Sequence, residues 1–497
     1  MRLLALLFGA LLPFAFAPFD LWALAPLSLA GLFWLWSGVS PRAAWTLGYA
    51  FGLGMFCVGV SWIFVSMHHF GEAIVPVAGL ITLVFAALMA VFPALAGWLS
   101  ARLSTENSVA RILIAMPLAW MLFELIRGEF LGGFPWLNLG ASQIHSPLAG
   151  FVPIFGEYAA SLAVVLSAAL LVLLVTRRTY LAVLGALLAF VALWAGGMML
   201  RQIDWVEPAG EPLRVAIVQG NVEQSRKFDP QVFQATLNLY RRLSESVPDA
   251  KLIIWPETAV PDTVSAASSF LIEMQDLMRD RGQELVLGIF DQDRQGNYYN
   301  ALLALPVEGG YYHKRHLVPF GEYLPLRFLI EPFKNLIQVP MSDLTSGKNQ
   351  QPLLRLAGHP AGASICYEAT LARKINTALP EAAFLINASN DAWFGDSLAP
   401  HQHLQIAAMR SLESGRWMVR ATNTGISALI NPHGEVVART PQFEQAVLRG
   451  DITPMQGATP FVIFGAWPIW LLSVLGICAL GVVRYITAER IRRYTSP

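Results

Sequence analysis

The stretch AFLINASNDAWFGDSLAPHQHLQIAAMRSLESGRWMVRATNTG, residues 383–425, contains an apolar run, a helical pattern and a second apolar run. The two apolar runs are short and rich in β-forming residues, as buried strands are. Between them, apolar residues recur every three or four positions, which is typical of a helix. A strand, a helix and a strand in this order predict an α/β layered domain.

The same alternation continues on both sides of this stretch. Two further helical patterns lie at 230–247 and 268–282, and short β-rich runs separate them. Most of the Asp, Glu, Lys and Asn residues of the chain fall between about 201 and 457. Some 250 residues are enough for one sizeable core, so we predict a single α/β domain over residues 201–457.

The chain as a whole has the composition of a membrane protein. Of its 497 residues 55% are apolar and only 14% are charged, against about 25% charged residues in soluble domains. The net charge is zero and gives no indication of nucleic-acid binding. A span needs about 20 apolar residues, and we predict seven spans within residues 1–200 and an eighth, with a cytoplasmic tail, within 458–497. The predicted spans are 3–18, 21–37, 44–66, 74–99, 109–126, 153–175, 180–199 and 459–483.

Basic residues in the short loops predict how these spans are oriented, because cytoplasmic loops carry an excess of Lys and Arg. Arginines occur at alternate ends of the spans, which predicts that both termini are cytoplasmic and that the 201–457 domain faces outward. The first segment, MRLLALLFGALLPFAFA, also resembles a signal peptide, but we expect a retained helix. The arginines that predict this orientation are Arg2, Arg42, Arg102, Arg111, Arg177, Arg178, Arg484, Arg490, Arg492 and Arg493.

Cys366 is the one cysteine of the predicted outer domain, in GASICYE at the end of a β-rich run. An outward-facing compartment is normally oxidising, so a single thiol there is either buried and inert or reactive. Taken alone, the residue is more often a small buried hydrophobe. Its neighbours in the predicted sheet therefore decide between these interpretations.

Two other ionisable residues occupy equivalent positions. Glu257 ends the run LIIWPE, and Lys314 opens KRHLVPFGEYLP after another short strand. Functional groups of such sheets gather beyond strand ends. Each residue has an ordinary alternative, a turn cap for Glu257 and a solvated surface lysine for Lys314.

Together, Glu257, Lys314 and Cys366 form a coherent chemical set. A carboxylate can take the thiol proton, and an ammonium can lower the thiol pKa and stabilise the oxyanion of a tetrahedral intermediate. The set predicts acyl transfer through a thioester. His401 and His403 are not expected to form a metal pair, because residues two apart on a helix face different directions. We predict no metal and no cofactor.

The motifs WPET, KRHLVPFGEYLP, ICYE and residues 387–430 occur in an order that resembles the nitrilase, or carbon–nitrogen hydrolase, superfamily. The resemblance extends over the predicted spans to a membrane-bound branch that acylates bacterial lipoproteins, including the loop GFPWLNLGASQ. It implies an αββα sandwich for the outer domain. It also implies that Glu257 is the general base, Lys314 the oxyanion-stabilising lysine and Cys366 the nucleophile.

The resemblance implies roles for further residues. The additional essential glutamate of the family falls on Glu322, and the Tyr and Glu after the nucleophile fall on Tyr367 and Glu368. In QSRKFDP this chain has Phe228 where the family often has Trp, in a loop thought to contact lipid. Trp393, in NASNDAWFGD, is expected to shape the pocket or order its backbone.

The implied reaction moves an acyl chain from a membrane phospholipid, through a Cys366 thioester, to the N-terminal amine of diacylglyceryl-cysteine apolipoproteins. The implied enzyme is a monomer of the bacterial inner membrane, with its catalytic domain in the periplasm. We expect loops to keep water from the thioester, and the candidates are the Phe228 segment and residues 338–352. Phe134, Pro135 and Trp136 could line lipid entry or act as an interfacial anchor.

Two rival functions remain open on the residues alone. A membrane-tethered amidase or nitrilase would use the same residues with water as acceptor. A transporter with the outer domain as a lid would need ionisable groups or broken helices within its spans. Glu124 and Glu157, near span ends, are the two hints of that kind and are more simply interpreted as interfacial or packing groups.

Overall fold

The computed structural model describes residues 1–319, 321–323 and 343–495. The chain divides into two compact units. The first comprises Met1–Ser61, Gly79–Ile203 and Ile463–Pro497, and the second comprises Trp62–Ala78 and Asp204–Val462. The short segment Trp62–Ala78, which overlaps the end of the predicted span 44–66 and the start of the predicted span 74–99, thus groups with the predicted outer domain.

Helices occupy every position where a span was predicted. Within the described residues, four helices are long and apolar enough to cross a membrane: Val75–Leu103, Glu157–Thr176, Tyr180–Leu200 and Trp467–Arg490. The broken pair Pro41–Gly59 and Trp62–Phe70 makes a fifth if it is one span, and two shorter apolar helices precede it. The helices up to residue 200 are α1 (Arg2–Leu11), α2 (Leu24–Ser37), α3 (Pro41–Gly59), α4 (Trp62–Val65), α5 (Val75–Met89), α6 (Val91–Leu103), α7 (Met116–Glu129), α8 (Val152–Phe155), α9 (Glu157–Thr176) and α10 (Tyr180–Leu200).

Glycines let the helices of the first unit pack closely. A Cβ placed on Gly52 of α3 would lie 2.6 Å from the Cα of Ala90, and one on Gly54 would overlap the backbone of Leu6. These contacts account for the glycine-rich run GLGMFCVG, residues 52–59, as a helix-packing motif. Ser40 caps the start of α3 by accepting a hydrogen bond from Ala43 N at 3.5 Å.

The two acidic residues that favoured a transporter are buried inside the first unit. Glu124 accepts hydrogen bonds from Trp120 Nε1 at 3.0 Å and from Leu139 N at 3.4 Å, and Glu157 is the first residue of α9. Glu124 therefore packs within the helices. Trp136, considered as an interfacial anchor, is also buried, so that interpretation is wrong for its side chain.

The described part of the second unit contains two six-stranded sheets. One has the order β13-β2-β3-β4-β5-β6 and the other β12-β11-β10-β9-β8-β7. Strands β2, β3 and β4 are parallel to one another, as are β8, β9 and β10. The strands are β1 (Glu207–Pro208), β2 (Leu213–Gln219), β3 (Leu252–Ile254), β4 (Glu284–Gln292), β5 (Tyr298–Leu305), β6 (Tyr311–His313), β7 (Leu354–Leu356), β8 (His359–Ile365), β9 (Phe384–Ser389), β10 (Met418–Thr422), β11 (Ala428–Ile430), β12 (Val436–Arg439), β13 (Ala446–Ile452) and β14 (Met455–Gln456).

Successive side chains of a strand pack into two different hydrophobic cores in this unit. Val215 and Ile217 of β2 pack in the core between the two sheets, whereas Ala216 and Val218 pack against helices on the outer face. This alternation follows from the two-residue period of a strand. The remaining helices are α11 (Pro230–Glu245), α12 (Ser268–Arg281), α13 (Ala372–Asn376), α14 (Ala399–Ser414), α15 (Pro460–Phe464) and α16 (Trp467–Thr495).

Helices lie outside the sheets, which gives the αββα layering expected for the outer domain. Leu237 of α11 and Met274 of α12 pack against the outer face of the first sheet. Asp229 caps α11 by accepting from Gln231 N at 2.9 Å. Helices α12 and α14 end at Gly282 and Gly415, whose φ angles of 62° and 64° suit glycine at a helix terminus.

Candidate active site

Lys314 is the centre of a buried charge network. It follows β6, is 1% exposed, and donates from Nζ to Glu322 Oε1 at 2.7 Å and to Glu257 Oε1 at 3.2 Å. Glu257 follows β3, which belongs to the same sheet as β6. The segments that follow these two strands therefore supply the Lys314–Glu257 ion pair. Lys314 and its two carboxylate partners are buried. The solvated-lysine and turn-cap alternatives do not describe residues in such a network.

Asn300 is a member of this network that sequence reasoning missed. Its Nδ2 donates to Glu257 Oε1 at 2.6 Å and to Glu322 Oε1 at 3.3 Å. Its carbonyl accepts from Lys314 N at 2.8 Å, which aligns the lysine with both carboxylates. Asn300 lies within β5, where the pattern NALLALP indicated an ordinary strand. The one sequence feature that could have indicated its role is a polar asparagine at the start of that apolar run.

Cys366 lies at the end of β8 in a strained backbone conformation. Its φ angle is 51°, in the left-handed region that non-glycine residues seldom adopt. Such a conformation costs of order 1–3 kcal/mol and persists where its surroundings enforce it. The turn Cys366–Thr370 takes the residue out of the regular strand, while its side chain still packs against the core between the sheets.

Burial raises the pKa of the Cys366 thiol to about 12, and the negative charge of Glu257 adds to this rise. Lys314 acts in the opposite direction, but its effect is smaller. The expectation that the ammonium lowers the thiol pKa is confirmed for the effect of Lys314 itself, whereas burial and Glu257 make the net shift of the thiol pKa upward. Burial alone would lower the pKa of Lys314, yet Glu257 and Glu322 outweigh burial and raise it above its ordinary value. At neutral pH the site holds a thiol beside an ammonium and needs a base.

Glu368 joins the Cys366 turn to the segment that carries Lys314. The carboxylate is fully buried and accepts from Ile365 N at 2.8 Å and from Arg315 N at 2.8 Å. It also accepts from His316 N at 3.1 Å and from Tyr312 Oη at 2.8 Å. One side chain thus fixes the backbone on both sides of the site. Burial raises the pKa of Glu368.

Replacing Glu368 with Gln is expected to lower stability and slow acyl transfer together. The amide would face up to two of the four donors with an NH₂ group, and each buried donor left without an acceptor costs about 1–3 kcal/mol. We expect the melting temperature of the detergent-solubilised protein to fall by about 5 °C or more. Tyr312→Phe removes one of the four donors to Glu368 and also the hydroxyl that accepts from Arg315 Nε at 2.8 Å; it is the comparison variant and should have a smaller effect. Unchanged melting of Glu368→Gln would contradict this account.

Tyr367, the residue after the nucleophile, stacks on His316. The two ring centroids are 5.9 Å apart and the planes are inclined by 17°. Burial, together with the nearby cations Lys374 and Arg373, lowers the pKa of His316 to about 4. His316 is therefore neutral at pH 7, and this stack adds no charge beside Cys366.

The Phe228 loop reaches the site through its neighbouring lysine. Lys227 is buried and donates from Nζ to the Glu257 carbonyl at 3.1 Å and to Thr258 Oγ1 at 3.0 Å. Burial lowers the pKa of Lys227 to about 8. Phe228 itself is 44% exposed and packs against Phe290, with ring centroids 6.4 Å apart. Lys227 anchors the loop while Phe228 stays accessible.

Trp393 contacts the segment Trp62–Ala78. Its ring lies 5.9 Å from that of Phe70, and its carbonyl accepts from Ser66 Oγ at 2.7 Å. Phe394, the next residue, packs edge-on against Trp62 at 5.0 Å. Trp393 therefore belongs to an aromatic wall with the Trp62–Ala78 segment. Of the loops expected to cover the site, residues 338–342 lie outside the described residues.

Two family models and several curated proteins match the sequence of this chain. The apolipoprotein N-acyltransferase N-terminal domain family matches residues 8–170, and the carbon–nitrogen hydrolase family matches 214–460. The apolipoprotein N-acyltransferase of Methylococcus capsulatus is 45% identical over 99% of this chain and 97% of its own. The protein of the same name from Pseudomonas aeruginosa is 44% identical over 96% and 95%. A carbon–nitrogen hydrolase structure from Helicobacter pylori G27 aligns with a TM-score of 0.37 and 14% identity, over 49% of this chain and 89% of that chain.

Proposed function

This chain belongs to the apolipoprotein N-acyltransferase family, and from that premise we propose that Cys366 carries an acyl chain from a membrane phospholipid to a lipoprotein. The acceptor is the N-terminal amine of a diacylglyceryl-cysteine apolipoprotein. The observation that carries the proposal is the buried network of Lys314 with Glu257 and Glu322 at strand ends, because it supplies a base and a cation.

In the first step, Glu257 takes the proton of the Cys366 thiol as the sulfur attacks the ester carbonyl carbon of the phospholipid. The raised thiol pKa makes this proton transfer necessary, because little thiolate exists at rest. The carbonyl oxygen becomes an oxyanion, which the Lys314 ammonium stabilises. The ester C–O bond then breaks, the proton passes from Glu257 to the leaving oxygen, and a lysophospholipid departs from the thioester.

In the second step, the lipoprotein amine attacks the thioester carbonyl carbon. Glu257, now ionised again, accepts a proton from the amine, and the C–S bond breaks as the amide forms. The proton returns to sulfur, which restores the thiol and leaves the enzyme unchanged. The sequence of steps is ping-pong, because the first product leaves before the second substrate reacts.

The location of the site favours a membrane phospholipid as the acyl donor. An outward-facing site has no access to cytoplasmic acyl donors, whereas phospholipid esters are present beside it. The apolar helices at both ends of the chain favour an integral membrane enzyme of the bacterial inner membrane. We propose the periplasmic orientation, the eight spans and the monomeric state on the basis of the sequence.

Mass spectrometry of the purified protein with phospholipid alone tests the acyl-enzyme. We expect one added acyl mass on the Cys366 peptide and none in Cys366→Ala. A wild-type protein that gains no such mass would overturn the mechanism. Adding a diacylglyceryl-cysteine peptide then separates the rival functions: the transferase acylates the peptide amine, whereas an amidase-like enzyme releases free fatty acid.

Phe228→Ala is expected to raise the KM for lipid about tenfold with little change in kcat. The exposed ring is free to pack on an acyl chain or the diacylglyceryl group, and partial loss of that contact corresponds to about 1.4 kcal/mol. Phe228→Trp should stay close to wild type. Ile272→Ala, an exposed apolar residue on α12, is the control. An unchanged KM in Phe228→Ala would exclude a substrate contact.

A further inference from the structure

A buried cluster of polar side chains lies behind the Cys366 turn. It consists of Asn387, Asp391, His403 and Arg420, each at most 1% exposed. His403 Nε2 is 3.3 Å from the Cys366 carbonyl oxygen, and Asn387 Nδ2 donates to the same oxygen at 3.5 Å. A carbonyl oxygen can only accept, so the imidazole must carry a hydrogen on Nε2 in this contact. Two side-chain donors thus converge on the backbone of Cys366.

Arg420 orients both donors from the neighbouring strand. Arg420 of β10 is paired with Asn387 of β9, and its Nη1 donates to the Asn387 side-chain oxygen. Its Nη2 donates to Asp391 Oδ2 at 2.8 Å and lies 3.1 Å from His403 Nδ1. Asp391 Oδ1 is 3.0 Å from the same ring nitrogen. The guanidinium therefore sets the directions in which the amide and the imidazole point.

An aromatic contact fixes the other side of the imidazole. The ring of Phe394 meets that of His403 edge-on, with centroids 6.3 Å apart and planes at 89°. Phe394 is in turn packed by Trp62, from the segment Trp62–Ala78. The His403 ring is thus held by charge on one side and by packing on another, and little freedom remains for its Nε2–H.

We propose that His403 is a positioning residue, which holds the strained turn of Cys366 by donating a hydrogen bond to its carbonyl. The left-handed backbone at Cys366 needs such enforcement, because a non-glycine residue does not adopt it without cost. A nucleophile displaced by about 1 Å from its attack position loses on the order of 100-fold in rate. The inference rests on the proposed function, since it takes Cys366 as the acylated group.

A matched pair of variants separates the hydrogen bond from the rest of the cluster. The amide nitrogen of Gln in His403→Gln reaches the position of Nε2 and can donate to the Cys366 carbonyl. The shorter amide in His403→Asn reaches the position of Nδ1, so it keeps a polar group beside Asp391 and Arg420 but cannot reach the carbonyl. The measurement is the rate of acyl adduct formation on Cys366 at saturating and half-saturating phospholipid.

We expect His403→Asn to slow adduct formation by about 10- to 100-fold at saturating lipid, with the half-saturating concentration unchanged. His403→Gln should recover to within about threefold of wild type. His401→Asn, an equivalent change on the first turn of α14, is the control and should match wild type. Wild-type rates in His403→Asn, or equal loss in the Asn and Gln variants, would overturn the inference while leaving the proposed function intact. A wild-type protein without any adduct would overturn both.

Discussion

Lys314→Met is expected to abolish measurable acyl-enzyme formation, with a loss of at least about 10³-fold. The methionine is close in length but removes the charge that we propose stabilises the oxyanion, and losing one such donor alone costs about 10²–10³-fold. The change also leaves the Glu257 and Glu322 carboxylates buried without their shared cation. Removing one partner of a buried ion pair costs about 3–5 kcal/mol. Adduct formation and thermal unfolding of the purified protein measure the two effects.

A double variant distinguishes the catalytic loss from the structural one. Lys314→Met combined with Glu322→Gln removes one of the two uncompensated charges, while Asn300 still donates to Glu257. We expect the double variant to regain part of the stability lost in the single variant and none of the activity. If activity returned together with stability, Lys314 would have only a structural role.

Glu257→Gln is expected to reduce acyl-enzyme formation by about 10²–10⁴-fold at neutral pH, the range for loss of a general base. The amide keeps the size of the side chain and can still accept from Asn300 and Lys314. It cannot take the proton of Cys366. Burial still raises the pKa of the thiol in this variant, so little thiolate forms at neutral pH without a base.

The pH dependence gives this variant a distinct signature. Removing the Glu257 charge lowers the thiol pKa relative to the wild type, although burial still keeps it raised. The residual rate of Glu257→Gln should then rise about tenfold per pH unit from pH 7 to 9, as the thiolate fraction increases. The wild type should change little over the same range, so the gap between them narrows. A constant ratio of the two rates would argue against general-base catalysis by Glu257.

Much of the fold and the central residues of the site could be predicted from the sequence. The β-rich runs and the three helical patterns of the outer domain correspond to strands and helices, because their periodicity reflects burial on one face or both. Glu257, Lys314 and Cys366 could be singled out because each follows a strand. In α/β sheets, functional side chains converge just beyond the carboxyl ends of the strands.

The site residues that could not be predicted from the sequence contact partners that are far away along the chain. Asn300 and Arg420 occupy strand positions that are apolar in most buried strands, and nothing local shows that each faces a carboxylate. The net direction of the Cys366 pKa was also missed, because it depends on how deeply the thiol is buried relative to Lys314. Burial depth and strand partners are properties of the folded chain.

Trp62–Ala78 has a consequence for the order in which the enzyme can be completed. This segment is synthesised long before Asp204–Val462, yet both belong to one packing unit, and Trp62 supports Phe394 beside the residues that hold Cys366. In a nascent chain, Trp62–Ala78 therefore cannot make these contacts until Trp393 and Phe394 have been synthesised. A gene fragment that encodes residues 204–462 would include Glu257, Lys314 and Cys366 but would lack the Trp62–Ala78 segment that packs against Trp393 and Phe394.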